Sequence, residues 1–193
     1  MSLREHKKEQ AKVAIQQAAL RLFAEQGYAY TTVEQIAAVA NVSPSTFFRY
    51  FTTKEAVVLY DSLDPLIMAA FESQPAEISV IRALRNAMKD VFKNLPSDKM
   101  ALEQERNNIL RKVPEVRSKM LDEMVRNITM LAELIAARLH RSTHDIDVCN
   151  LAGAIIGVGL ATLIRAEDRP VDVSSLEAFD EALAALEHGL LTE

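Results

Sequence analysis

Between residues 32 and 44 two helix starts stand so close together that only two residues are left for the joint. Thr32 is followed three positions later by Gln35, the pattern of a capping box, so a helix begins there and carries Ile36, Ala37 and Ala40 inward. Ser43-Pro44 opens the next helix, with serine as N-cap and proline at the first helical position. Only Asn41 and Val42 separate the two. A joint this tight forces a steep crossing, the arrangement of a helix-turn-helix. A first helix precedes the pair over residues 8–26, with apolar residues at Ala11, Ile15, Ala18, Ala19, Leu22 and Phe23 and Gly27 as its stop. Thr53 caps a fourth, beginning at Lys54.

The third of these helices is unusual for its rings. Four aromatics fill five positions from Phe47 to Phe51, around Arg49, in a chain that is only 6% aromatic. At helical spacing the rings divide. Phe47 and Phe51 share a face with Val42 and are expected to pack on the first two helices. Ser45, Thr46, Arg49 and Tyr50 share the opposite face, with Phe48 on its shoulder. That face holds a guanidinium able to pair with a guanine edge and hydroxyls able to reach phosphate or base. Phe48 suits a sugar or a thymine methyl. A short helix with one greasy and one hydrogen-bonding side fits the major groove. The competing reading is a helical protein-interaction module that uses the rings as a docking surface.

Elsewhere the chain has few breaks, with 5 Gly and 6 Pro in 193 residues. No segment alternates with the period of a strand, so the expected fold is all-α. About nine helices are predicted: the four above and others over 78–94, 98–112, 115–141, 144–167 and 174–191. Pro65 is expected to kink or split the fourth helix, and Pro96, Pro114 and Pro170 mark later joints. We divide the chain into a head, 1–55, with a three-helix DNA-binding arrangement, and a larger helical body, 56–193.

The net charge of −5 argues against a generally basic nucleic-acid binder. Its distribution is segregated, however. Residues 1–60 carry seven Lys/Arg against five Asp/Glu, so the negative charge lies in the body. The single cysteine, Cys149, excludes an internal disulfide and is expected to be a small buried hydrophobe. No secretory signal opens the chain, and the longest apolar run, residues 151–164, is short for a membrane span. A cytoplasmic protein with no membrane association is expected. An all-α enzyme is the weaker alternative. His140 and His144 lack a third ligand, and no phosphate loop or nucleophile elbow is present, so no catalytic residue, metal or cofactor is predicted.

The segment TTVEQIAAVANVSPSTFFRYFTTKEAVV, with AALRLFAEQGY before it, resembles the N-terminal signature of tetracycline-repressor-like (TetR-family) regulators over roughly residues 8–60. The Thr-Phe-Phe-Arg-Tyr-Phe form is similar to actinobacterial members, including mycofactocin-regulator-like proteins linked to acyl-CoA-type ligands. The resemblance implies a homodimeric repressor that binds a palindromic operator and is released by a small effector. It implies that Thr32 meets phosphate through its hydroxyl and backbone N–H. Ser43, Ser45, Thr46, Phe48, Arg49 and Tyr50 then form the recognition region, and Lys54 grips phosphate at the start of the fourth helix. With one arginine and no Asn or Gln on the recognition helix, direct base readout is thin, and DNA shape or water is expected to add specificity.

The run LAGAIIGVGLATLI holds Gly153, Gly157 and Gly159, residues that weaken a helix unless another backbone must come close. Either the glycines serve packing inside one subunit, or they form a dimer seam. The seam would involve Gly153, Gly157, Leu160 and Ile164, with the stripe Leu176, Phe179, Leu183, Leu186 and Leu190; the resemblance implies a four-helix dimer bundle. An effector pocket is expected in the body. Met68, Phe71, Met88, Phe92, Ile109, Met120, Met124 and Leu131 are its candidate walls, and Arg106 and Asn127 are polar candidates. Methionine-rich walls suit an apolar ligand of fatty-acid or acyl-CoA type.

Overall fold

The structure is a computed structural model that describes residues 3–165 and 173–189. Eleven helices are present among the described residues, and no strand. They fall into two compact units. The first runs through Ser62 and adds Ser97–Met120; the second comprises Leu63–Pro96 and the chain from Leu121 onward.

The first unit holds α1 (Leu3–Gln26), α2 (Val33–Val39), α3 (Pro44–Tyr50) and α4 (Lys54–Leu59), joined by α7 (Ser97–Lys112) and α8 (Pro114–Arg117). The caps are those expected. Thr32 Oγ1 accepts from Gln35 N–H, and Gln35 Oε1 accepts from Thr32 N–H. Ser43 Oγ and Thr53 Oγ1 cap α3 and α4 by accepting from the Thr46 and Ala56 N–H groups. The α2–α3 joint closes as a Schellman motif. Asn41 takes the left-handed conformation (φ 54°), and Val42 N–H bonds Ala37 O at 2.9 Å. Asparagine tolerates that conformation better than other side-chain-bearing residues, which is why two residues suffice for the turn. Ile15, Ala19, Leu20, Phe23, Ile36, Phe47, Val57, Val58 and Val116 form the buried interior. α1 starts at Leu3, five residues earlier than its apolar stripe indicates, because charged residues extend a helix that is already nucleated.

The second unit holds α5 (Asp64–Glu72), α6 (Val80–Lys93), α9 (Met120–Leu139), α10 (Ile146–Arg165) and α11 (Val173–His188). Its core joins Phe71, Ile81, Leu84, Leu131, Ile135, Val148, Ile155 and Leu183. The count exceeds nine for two local reasons. Pro65 splits the fourth helix, so α5 is separate and carries the proline in its first turn. The predicted 115–141 helix is interrupted after Arg117, where the Ser118 hydroxyl donates to Glu115 O at 2.8 Å and turns the chain. Pro170, Leu190 and the predicted helix end at 167 lie outside the described residues.

α6 and α11 are tied by charge as well as by packing. Asp180 accepts both Arg85 Nε (2.8 Å) and Arg85 Nη2 (2.9 Å), and pairs with Lys89 at 2.9 Å. These bonds, the Arg85 fork foremost, lower the Asp180 carboxyl to about 2. A depressed acid stabilises the fold fully above its ordinary value of 3.8 and loses that contribution as the pH falls toward 2. Asp180→Asn should therefore cost about 1 kcal/mol at neutral pH and flatten the loss of stability between about pH 4 and 2. Urea midpoints of both proteins across that window check this.

Candidate nucleic-acid interface

The rings of α3 divide as their spacing predicts. Phe47 is wholly buried and Phe51 is 4% exposed, whereas Phe48 is 52% exposed. Phe47 meets the Phe48 ring edge-on at 5.5 Å and lies 6.0 Å from the Phe51 ring. Ser45 and Arg49 are exposed, and Thr46 and Tyr50 are half-buried. Arg49 stacks on its neighbour, with the guanidinium carbon 4.9 Å from the Tyr50 ring centroid and Nη2 3.3 Å from its hydroxyl. At the start of α3 three hydroxyls cluster: Ser43 Oγ lies 2.8 Å from Ser45 Oγ and 3.0 Å from Thr46 Oγ1. One exposed face thus offers a guanidinium, hydroxyl donors, a phenol and an exposed ring.

Two expected phosphate contacts are partly committed elsewhere. Thr32 is exposed, but its backbone N–H is already bonded to Gln35 Oε1 at 2.8 Å, so its hydroxyl is the group left to donate. The Lys54 ammonium donates to Tyr28 O (2.7 Å) and Thr31 O (3.1 Å), and sits 4.1 Å from the Tyr28 ring centroid. Two of its three N–H groups hold the α1–α2 loop. Glu55 beside it accepts the Tyr28 hydroxyl at 2.8 Å and pairs with Lys119 at 3.5 Å. Burial opposes ionisation of Glu55, but hydrogen bonds from the Thr53 hydroxyl, its own backbone N–H and Tyr28, with Lys119 nearby, bring its carboxyl down to about 2. Burial and the bond to Glu55 push the Tyr28 phenol well above its ordinary value. All four tyrosines of the chain, Tyr28, Tyr30, Tyr50 and Tyr60, belong to this unit, and the chain has no tryptophan.

The predicted pocket residues are divided. Ile109 and Arg106 lie on α7, and Met120 opens α9. Met68, Phe71, Met88, Phe92, Met124, Asn127 and Leu131 belong to the second unit, where Phe71 and Leu131 are core residues and Met88 packs on that core. Arg106 is 7% exposed rather than solvated, and two carboxylates, Asp61 and Glu103, already match its charge. That arrangement gives no anchor for an anionic ligand.

The predicted seam residues also differ among themselves. A Cβ added at Gly153 or Gly157 would meet nothing within 4 Å, whereas one at Gly159 would lie 3.5 Å from the Phe179 ring. Packing inside the subunit therefore accounts for Gly159 and not for the other two. Ile164 is 66% exposed. Leu183 is wholly buried in its own core and has no surface for a partner. Cys149 is exposed on α10, not buried, and its thiol donates to Thr143 O at 3.3 Å. By length and composition alone α10 is apolar enough to cross a membrane, with mean hydropathy 1.8, although Asn150 limits its uninterrupted apolar run to residues 151–164. A core helix of a water-soluble protein meets the same measure, and Val148, Ala152 and Ile155 do enter the core.

A steeply joined helix pair with a buried aromatic anchor and an exposed polar face defines a helix-turn-helix DNA-binding class. The family model for bacterial regulatory proteins of the tetR family matches residues 15–60, and that for the MftR C-terminal domain matches residues 78–191, more than half of the chain. The chain belongs to the TetR family of bacterial regulators. It is 33% identical over 143 residues to the HTH-type transcriptional regulator TcmR of Streptomyces glaucescens, covering 70% of this chain and 63% of TcmR, so it spans less than two thirds of that relative. MftR of Mycobacterium tuberculosis is 24% identical over 178 residues, covering 90% of this chain and 89% of its own. Among solved structures, Thermus thermophilus FadR, a TetR-family repressor in complex with lauroyl-CoA, shares the fold with a TM-score of 0.54 at 21% identity, covering 94% of this chain and 96% of its own.

Proposed function

We propose that the chain is a ligand-responsive, DNA-binding transcriptional repressor of the cytoplasm, acting as a homodimer on a palindromic operator. The observation that carries this reading is the division of α3: Phe47 and Phe51 fill the interior and leave Ser45, Thr46, Arg49 and Tyr50 on the outside. Residues 1–55 form the DNA-binding domain, and 56–193 the effector-binding and dimerisation domain. Arg49 reads a base edge. Ser43, Ser45, Thr46, Tyr50 and the Thr32 hydroxyl meet backbone or bases, and Phe48 lies on sugar or a thymine methyl. Lys54 meets phosphate through the N–H that its two carbonyl partners leave over. The effector is apolar or acyl-type, the chemistry FadR binds as lauroyl-CoA. Its walls come from Met68, Met88, Phe92, Met124 and Asn127. It releases the operator by preferring one of two arrangements of the protein; a ligand that binds both equally shifts nothing.

Selection of bound fragments from random DNA by the purified chain tests the first half. Enrichment of no palindrome, with affinity set by salt alone, sinks sequence-specific reading. Titration of the operator complex with fatty acids, acyl-CoAs and apolar drugs tests the second, and an unmoved affinity across the panel removes the effector.

The open space at Gly153 and Gly157 supports a second copy across α10, with Leu160, Ile164, Phe179 and Leu186 completing the seam. Gly157→Leu discriminates. Within one chain the Cβ of the new side chain meets nothing within 4 Å, and leucine raises helix propensity by up to about 1 kcal/mol. We expect an intact helical fold by circular dichroism and loss of the dimer in sedimentation equilibrium. A dimer of unchanged affinity would move the seam elsewhere.

A further inference from the structure

α4 spans six residues, too few to hold themselves as a helix, and its end is secured from outside. Gln16 of α1 donates Nε2 to Val57 O at 3.0 Å and also to Tyr60 O. Arg106 of α7 donates Nε to Val58 O (3.1 Å) and Tyr60 O (3.2 Å). The rest of its guanidinium is held in turn: Nη2 lies 2.7 Å from Asp61 and Nη1 3.2 Å from Glu103. A planar fork of five donors can serve two carbonyls and two carboxylates at once; a lysine ammonium cannot. A cation at a helix C-terminus is also favoured by the helix dipole. At the other end of α4, Lys54 holds Tyr28 O and Thr31 O, and Thr31 is the residue before the α2 cap, Thr32. Polar bonds therefore connect Arg106, through α4, to the loop that presents Thr32.

We propose that Arg106 is a positioning residue for operator binding: from α7 it fixes α4, and α4 fixes the α1–α2 loop beneath the DNA-facing surface, without touching DNA. This rests on the DNA-reading function proposed above. It makes α7 part of the reading head, a role that nothing in the 1–55 segment alone supplies.

The test is Arg106→Lys in the full chain, against the fragment that the wild-type chain selects. Losing the fork should raise the operator Kd by about ten- to hundredfold. The Kd for an unrelated duplex should rise as well, by a smaller factor, and the slope of log K against log salt should become shallower, because the contacts displaced through α4, at Lys54 and Thr32, are phosphate contacts. A purely structural role would lower the melting temperature and leave the operator Kd of the folded protein and its specificity ratio as they were. An R106K protein that binds its operator within about twofold of wild type overturns the proposal. If R106K does not fold at the assay temperature, Asp61→Asn decides in its place. It keeps the guanidinium on the carbonyls and removes one carboxylate charge, so a two- to fivefold weakening is expected, of the order of one charged hydrogen bond partly lost; an unchanged Kd overturns the proposal equally. A wild-type chain that selects no fragment sinks the underlying function, whereas selection by wild type with R106K at parity sinks only the positioning role.

Discussion

Replacing Phe47 with alanine should destabilise the first unit by about 3–5 kcal/mol and abolish operator binding. The ring is wholly buried against Phe48 and Phe51, on a helix that packs against α2 across a two-residue joint. Truncation removes the transfer free energy of the ring and leaves a void that a tight turn cannot close by shifting α3. Against a total stability of roughly 5–15 kcal/mol for a domain, that loss is decisive. Urea unfolding followed by circular dichroism gives the magnitude. Phe48→Ala is the control. Its ring is 52% exposed, so the loss of stability should be about 1–2 kcal/mol, well short of that for Phe47→Ala, while DNA affinity still falls. A loss below about 1 kcal/mol for Phe47→Ala would mean that α3 is anchored by something other than its rings.

Arg49→Ala should do the reverse, sparing the fold and crippling the interface. The guanidinium is exposed and, among the described residues, stacks on Tyr50, so its removal should change stability by less than about 0.5 kcal/mol. A bidentate arginine–guanine pair is worth about 1–3 kcal/mol. A two-fold dimer makes that contact once per half-site, so operator binding should weaken by about 2–6 kcal/mol in total. Preference should relax at one base position per half-site, with little change in affinity for unrelated DNA. Fragment selection repeated with the variant checks this. Undiminished preference at every position would transfer base reading to Tyr50 or the hydroxyl cluster.

The sequence made the local half of this molecule legible. Thr32–Gln35, Ser43–Pro44 and the spacing of Phe47 and Phe51 are signals written within a few residues of one another, and each finds its partner at that range. What it did not show depends on contacts across the chain. Gln16 sits on the buried side of α1 because Val57 O, 41 residues on, needs a donor. Arg106 and Glu103 are buried on α7 although charged residues at those positions suggest a solvated helix; their partners are 45 to 48 residues away or on the facing turn. Lys54 is drawn inward by carbonyls 23 and 26 residues earlier. Periodicity assigns faces from side-chain polarity, so a polar residue recruited to cap a distant helix end is assigned to the wrong face. Cys149 shows the opposite error: a small apolar side chain implied burial, and the thiol is exposed beside Thr143 O.

The confinement of every tyrosine to residues 28–60, with no tryptophan elsewhere, gives the molecule a built-in optical label. Emission excited near the phenol absorption band arises from the DNA-reading half alone, while peptide absorbance in the far ultraviolet sums over both. If the two halves melt separately, the two signals will part company, and their separation will measure how independently each half holds together.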